Sequence, residues 1–297
     1  MKNIGPVYIN PLSDFGFKRL FSSGDKTLLI AFLNDIIGAG QTIEDIVSNQ
    51  NEWVGTTEDE KSILLDLVCT DKKGKQFIVE VQRKKQNYFK SRALYYASKL
   101  ISMQLAQGID KYPLLPVYFI AIMEFKLEEM DDEWIDDVYL CSLRNGKIFD
   151  KTLRFTYFAL TNFRKPADQL VSNLERWIYL FKNLPYLQEQ PETIRGSVFD
   201  KLFKLAAFSK LSAEDQAMYK MEYDKEWMNK VYIESVKDDG EKEGFEKGEK
   251  KGLEKGRKEV KRNIAFRLKE RGDHIEAISA ITGLSLKELT ELFKSAE

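Results

Sequence analysis

A chain of 297 residues, 43% hydrophobic and 31% charged, is long enough for one large domain or two modest ones with a real core. Lysine and arginine number 46 against 47 aspartates and glutamates, so the overall charge announces no nucleic-acid binder, and any such surface has to be a local patch. A single histidine, His274, is too few for HNH-type nucleases and multi-histidine zinc sites, and points to carboxylates, lysines and a hard metal as the carriers of any chemistry.

The opening MKNIGPVYINPLSDFGF lacks the apolar stretch of a signal peptide, and no run approaches the length of a membrane span. The two cysteines, Cys69 and Cys141, lie in apolar strand-like runs and read as small buried hydrophobes. No disulfide framework is implied, and the expectation is a soluble cytoplasmic protein without membrane association.

Apolar residues at helical spacing then predict two helices. Phe17, Leu20 and Phe21 mark the first, with Ser13 and Asp14 as starters; Leu28, Leu29, Phe32, Leu33, Ile36 and Ile37 mark the second, with Gly38 as its stop. The break is expected near residues 22–25. TIEDIVSNQNEW reads as an extended or loop connection. ILLDLVCTDKKGKQFIVEVQRKK, residues 63–85, reads as two strands joined by a short turn. A helix follows, with Leu94, Ala97, Ile101 and Leu105 as its stripe and Gly108 as its cap. LLPVYFIAIMEF suits a strand buried on both faces, and further β character follows, with Asn145-Gly146 as a turn.

From about residue 167 the pattern becomes helical. LVSNLERWIYLFKNL and SVFDKLFKLAAFSKL are amphipathic, and a longer helix is expected after Ser212. Glycines then recur at 240, 244, 248, 252 and 256. Each costs about 1 kcal/mol relative to alanine in a helix, so the segment is either a helix packed on its glycine stripe or a charged linker. Near the end, Ile278, Gly283, Leu284 and Leu289 have helix-turn-helix spacing, which serves either DNA reading or a packing hairpin.

Each strand of the 63–85 pair carries one carboxylate near its middle, Asp66 and Glu80. Burying one ionised carboxylate is costly and two together more so. If Lys72, Lys73 and Gly74 form a three-residue loop with glycine in the left-handed position, Asp71 pairs with Lys75 and Asp66 falls opposite Glu80. A two-residue loop would send the acids to opposite faces. Gln82 shares the face of Glu80, as do Leu64, Val68 and Ile78; Leu65, Leu67, Phe77, Val79 and Val81 are expected on the other. A half-buried acid pair of this kind suits magnesium or manganese, or else an ion-pair network with lysine or arginine.

Asp66, the hairpin and Glu80-Val81-Gln82 together resemble the PD-(D/E)XK nuclease signature, with glutamine in place of the usual lysine. NPLSDFGFKRLF, the glycine-every-four tract and the ITGLS hairpin resemble the Rpn family of recombination-promoting nucleases and transposase-like proteins, a branch of that superfamily. The resemblance covers most of the chain and is strongest over residues 8–125.

It implies an α/β fold with a mixed central sheet flanked by helices, a restriction-endonuclease-like core in αβββαβ order, and an all-helical C-terminal extension. The implied organisation is a nuclease core over 1–165, a helical extension over 166–236, and a tail over 237–297 for homodimerisation or DNA contact. The implied activity is magnesium- or manganese-dependent hydrolysis of DNA, in recombination or mobile-element processing. Asp66, Glu80 and the carbonyl of Val81 would hold the metal, with Gln82 as the third catalytic position. Asp14 either reaches the metal shell or caps the first helix, and Lys18, Lys84 or Lys85 would supply the charge that glutamine lacks. Arg83, Lys84, Lys85, Lys90, Arg92 and Lys99 form a basic stretch for the DNA backbone. Tyr96, four residues after Arg92, either borders the cleft or packs. The alternative is a degenerate nuclease fold that binds DNA or protein without catalysis.

Overall fold

The computed structural model describes residues 6–22, 24–38, 42–49, 52–53, 63–105 and 114–294. Two helices, α1 (Asp14–Phe21) and α2 (Thr27–Ile37), open the chain where the apolar spacing predicts them, and Gly38 ends the second. Short strands β1 (Ile46–Ser48), β2 (Glu52–Trp53) and β3 (Ile63–Leu64) precede the hairpin of β4 (Leu67–Asp71) and β5 (Gln76–Gln82). Helix α3 (Phe89–Met103) leads to β6 (Val117–Met123), and β7 (Ile135–Cys141) and β8 (Ile148–Ala159) form a second hairpin.

The main sheet has six strands in the order β1-β4-β5-β6-β8-β7. β5, β6 and β8 run parallel, and the pairs β1–β4, β4–β5 and β7–β8 are antiparallel. β2 and β3 pair separately. The result is the expected mixed sheet, with the core elements α1, β1, β4, β5, α3 and β6 in the expected αβββαβ order.

Both faces of the sheet are covered, which is why β6 is buried along its whole length. One face carries Leu67, Cys69, Phe77, Val79, Ile120, Ile122 and Phe158. It packs with α1, α2, α4 (Asn173–Asn183) and α5 (Ser197–Ala206) through residues such as Phe21, Phe32, Trp177, Phe181 and Phe203. The other face carries Val68, Ile78, Phe119, Ala121 and Tyr157 under α3. The buried stripe of α3 is Phe89, Ala93, Ala97 and Leu100, one step from the predicted one, and Leu94 is exposed. Small alanines let the helix lie close to the sheet, a signal that a search for large apolar residues passes over. Gly108 lies outside the described residues. Cys69 is buried as expected, whereas Cys141, near the end of edge strand β7, is exposed.

Contacts divide the chain into residues 1–223 and 224–297. Helix α6 (Ala213–Glu270) is capped by Ser212, whose hydroxyl accepts from the N–H of Asp215 at 3.1 Å. The five glycines all lie in this helix, and a Cβ at each would meet open space. The segment is thus helical and not a linker, and among the described residues nothing packs on its glycine stripe. In the second unit, α7 (Ile275–Thr282) and α8 (Leu286–Lys294) are joined through left-handed Gly283, and Ile278, Leu289, Leu292 and Phe293 bury against Ala265 of α6. Among the described residues no helix is long and apolar enough to cross a membrane.

The N-terminal motif has a local logic. The Ser13 hydroxyl caps α1 by accepting from the N–H of Gly16 at 3.0 Å, and it donates to the carbonyl of Asn10 at 2.8 Å. The N–H groups of Asp14 and Phe15 donate to the carboxylate of Glu222 at 2.7 and 3.0 Å, so an acid of α6 completes the helix start. The N–H of Asn10 donates to the Tyr219 hydroxyl at 2.9 Å. A Cβ on Gly16 would lie 1.9 Å from the carbonyl oxygen of Asn10. Gly16→Ala is therefore expected to destabilise the protein by about 1–3 kcal/mol, the usual cost of forced overpacking, seen as a lower urea midpoint.

Candidate active site

The β4–β5 hairpin closes through the three-residue loop Lys72–Lys73–Gly74. The N–H of Asp71 donates to the carbonyl of Lys75 at 2.9 Å, and the Asp71 carboxylate accepts from the N–H groups of Lys73 and Lys75, both at 2.9 Å. Gly74 has φ 81°, a left-handed conformation that disfavours any side chain, and a Cβ there would sit 2.4 Å from a methyl of Leu115. The strands pair Leu67 with Val79, Val68 with Ile78 and Cys69 with Phe77. The same register carried one residue beyond Leu67 and Val79 sets Asp66 opposite Glu80.

Asp66 occupies a bend between β3 and β4. In place of a continuous ladder, side chains and backbone exchange partners here. The N–H of Val81 donates to Oδ2 of Asp66 at 2.7 Å, and the N–H of Asp66 donates to Oε1 of Glu80 at 3.2 Å. The bend interrupts the in-out alternation. Leu65 therefore packs with Val68 and Ile78 on the α3 side and not with Leu67 as simple alternation predicts.

Glu80 is 3% exposed and Asp66 is partly buried. Burial pushes the Glu80 carboxyl well above its ordinary range, and the charge of Asp66 adds to the effect. The Asp66 N–H, Arg92 and a side-chain hydrogen bond from Gln82 oppose it. Burial also raises Asp66, against the Val81 N–H; the charge of Asp14 raises it further, while Lys18 and Arg92 lower it. Among the described residues neither acid forms an ion pair. A buried and a partly buried acid without a salt-bridge partner among the described residues are a donor set that a hard divalent cation fits, with the Val81 carbonyl and water completing the shell. Among the described residues no cluster of three or more His, Cys, Asp or Glu side chains is placed to hold a metal.

The beginning of α1 contributes charge beside this pair, since Asp14 and Lys18 both act on Asp66. They pair with each other at 2.7 Å and are largely exposed. The cap of α1 is Ser13, so Asp14 is not the capping residue. Arg92 acts on both carboxylates and lies over the ring of Tyr96 at 5.6 Å, with its Nε donating to the Tyr96 hydroxyl at 3.2 Å. Sequence placed Arg92 along the DNA backbone; the fold brings it to the acids as well.

The rest of the basic stretch is arranged differently from a bare phosphate track. Arg83 pairs with Glu124 at 3.2 Å, Lys85 with Glu128 at 3.1 Å, and Lys90 with Glu129. These acids follow β6 in the run EFKLEEMDDE, which Leu127 and Met130 anchor in the core. Lys84 is exposed and Lys99 half-buried. The acidic run was visible in the sequence, but its place opposite those three cations was not.

A family model described as PD-(D/E)XK nuclease family transposase matches residues 11–236. No curated protein and no solved structure matches the chain.

The raised carboxyls predict a pH dependence. The folded chain binds these protons more tightly than the unfolded chain, so their contribution to stability is present below the unfolded-state values and lost as pH rises through the folded-state ones. In buffer free of divalent cations, stability is expected to decline from about the ordinary 4.5 of glutamate upward, through the raised value of Glu80. Glu80→Gln should flatten that decline and be the more stable protein at neutral pH. Urea midpoints across the pH range measure both; parallel curves for the two proteins would contradict the assigned burial.

Proposed function

Because the chain belongs to the family of PD-(D/E)XK nuclease transposases, we propose that it is a metal-dependent DNA endonuclease of the cytoplasm that acts in recombination or mobile-element processing. The observation that carries this reading is the convergence of Asp66 and Glu80, one partly buried and one buried acid with raised affinity for protons and no salt-bridge partner among the described residues. Such a pair is unfavourable for stability and is retained where it binds or reacts.

Asp66, Glu80 and the carbonyl of Val81 would hold magnesium or manganese. A cation so held would polarise the scissile phosphate and lower the pKa of the attacking water. The residues do the positioning. The Val81 N–H fixes one oxygen of Asp66, which leaves the other free to turn toward a ligand. Glu80 has to release its proton before it can ligate, so binding is favoured as pH rises. Gln82 is hydrogen-bonded to Glu80 and can orient a water, though it brings no positive charge. Lys18 and Arg92, whose fields already reach the acids, supply charge for the phosphate, with Asp14 as an auxiliary acid. Arg83, Lys84, Lys85, Lys90 and Lys99 would line the DNA backbone, since exposed ion pairs are worth only about 0–1 kcal/mol and phosphates can displace their glutamates.

In the same reading residues 1–165 form the nuclease core, 166–236 a helical extension, and 237–297 a homodimerisation segment. Within the second unit, Val236, Val260 and Ile264 are exposed and continue the glycine line at four-residue spacing along α6. A second reading, a degenerate fold that binds DNA or protein, is favoured by Gln82 in place of lysine.

Purified protein is expected to nick supercoiled plasmid in magnesium, and Asp66→Ala or Glu80→Ala to reduce nicking below detection while far-ultraviolet circular dichroism stays native. Magnesium should raise the melting temperature of the wild type and leave that of Asp66→Asn unmoved; nicking that survives both alanine variants would remove the site from the chemistry. Light scattering of a chain ended at Val236 should report a monomer where the full-length chain is a dimer, and an unchanged oligomeric state would place dimerisation elsewhere.

A further inference from the structure

The turn between β5 and α3 keeps a tyrosine in an unfavourable conformation and in water. Tyr88 has φ 62° and ψ 22°, and apart from Asp131 it is the only described non-glycine residue with positive φ. A left-handed backbone is easily adopted by glycine or asparagine and poorly by an aromatic residue. The side chain is 82% exposed and touches no other aromatic ring among the described residues. Tyr88 also stands at the N-cap of α3 without a capping side-chain bond, where serine, threonine or aspartate would satisfy an N–H. Conformation, exposure and cap chemistry thus all run against stability at one residue. A local conflict with no compensating contact points to a task performed outside the fold.

Its surroundings say which task. Phe89, the next residue, is buried and meets Phe125 and Tyr157 edge-on, so the backbone at the turn is anchored while the Tyr88 ring faces outward. Gln82, hydrogen-bonded to Glu80, lies six residues before it in the chain. The carbonyl of Tyr88 accepts from the N–H of Arg92 at 2.9 Å, and Arg92 is the cation that acts on both carboxylates. Lys84, Lys85 and Lys90 flank the turn in sequence. An outward aromatic ring one helical turn before the arginine that acts on both acids, flanked in sequence by lysines of which Lys85 and Lys90 pair with exposed glutamates, combines the elements that hold a single nucleic-acid strand: a face for stacking and charge for the backbone.

We infer that Tyr88 is a base-stacking residue that holds an unstacked nucleotide beside the scissile phosphate. The substrate class is then DNA with an unpaired base at the cleavage point, such as a bubble or a single-stranded junction, in preference to closed duplex. Stacking tolerates any base, so this selects DNA structure and not sequence. The inference rests on the reading of the carboxylate site as a DNA nuclease.

Two measurements on the full chain test it. The first is binding, without divalent cation, to a duplex with a central bubble containing 2-aminopurine and to the closed duplex of the same sequence. The second is cleavage of the same two DNAs in magnesium. The wild type should bind the bubble more tightly, quench the 2-aminopurine and cut the bubble faster. Tyr88→Ala should weaken bubble binding roughly ten-fold, abolish the quench and leave closed-duplex affinity unchanged, as loss of one base stack requires. Tyr88→Phe and Tyr88→Trp should restore all three. Tyr88→Gly should lose the preference yet melt no lower than the wild type, because glycine relieves the left-handed backbone. The inference is overturned if Tyr88→Ala binds and cuts the bubble like the wild type, or if Tyr88→Gly loses stability together with binding. A wild type that shows the Tyr88-dependent quench but cuts neither DNA would sink the nuclease reading and uphold the stacking role.

Discussion

Two hydrogen bonds cross between side chain and backbone at the bend before β4: Val81 N–H to the Asp66 carboxylate, and Asp66 N–H to the Glu80 carboxylate. Together they replace a stretch of ordinary ladder and bring two acids onto one point of a covered sheet. The proximity is electrostatically unfavourable, because burial and mutual repulsion both raise the proton affinity of Glu80. The hairpin has to be stiff enough to impose it. The Asp71 carboxylate, which ties the loop, and the left-handed Gly74 supply that stiffness at the other end of the strands.

The layers around the sheet then decide what the pair can reach. Strand β5 lies between β4 and β6, so its backbone is paired on both sides and Glu80 cannot move away with its strand. The face bearing Glu80 is closed by α3, whose alanines let the helix approach and bring Arg92 within electrostatic reach of both acids. The beginning of α1 brings Asp14 and Lys18 to the same neighbourhood. It is held there from a distance in sequence, by Tyr219 and Glu222 of α6 bonded to the backbone of Asn10, Asp14 and Phe15. The family match reaches residue 236, beyond the last strand of the core. The start of α6 thus belongs structurally with residues 1–223, because it completes the start of the helix that carries Asp14 and Lys18.

The basic surface next to the pair is balanced by design of the chain itself. Arg83, Lys85 and Lys90 meet Glu124, Glu128 and Glu129 in exposed pairs of low individual worth. Exposed pairs of this kind are weakened further by salt, so they hold these cations only loosely.

Periodicity and turn chemistry made most of the architecture legible in the sequence. The helical spacing of Phe17 to Ile37, the continuous apolar run of β6 and the Lys-Lys-Gly loop gave the order of elements and the register that sets Asp66 opposite Glu80, and the family resemblance supplied the layers. These are short-range properties: a loop length fixes register, and register fixes which side chains share a face. Other features were decided only by tertiary structure. The bend at Asp66 moved Leu65 to the other face, α3 buried alanines where the pattern favoured leucines, and edge strand β7 left Cys141 in solvent. Arg92 became a neighbour of the acids, and three further cations acquired glutamate partners that lie about forty residues away in sequence. The physical reason is common to all of them. Local patterns specify what a residue offers, whereas burial, charge pairing and strain depend on which distant segment the fold sets against it.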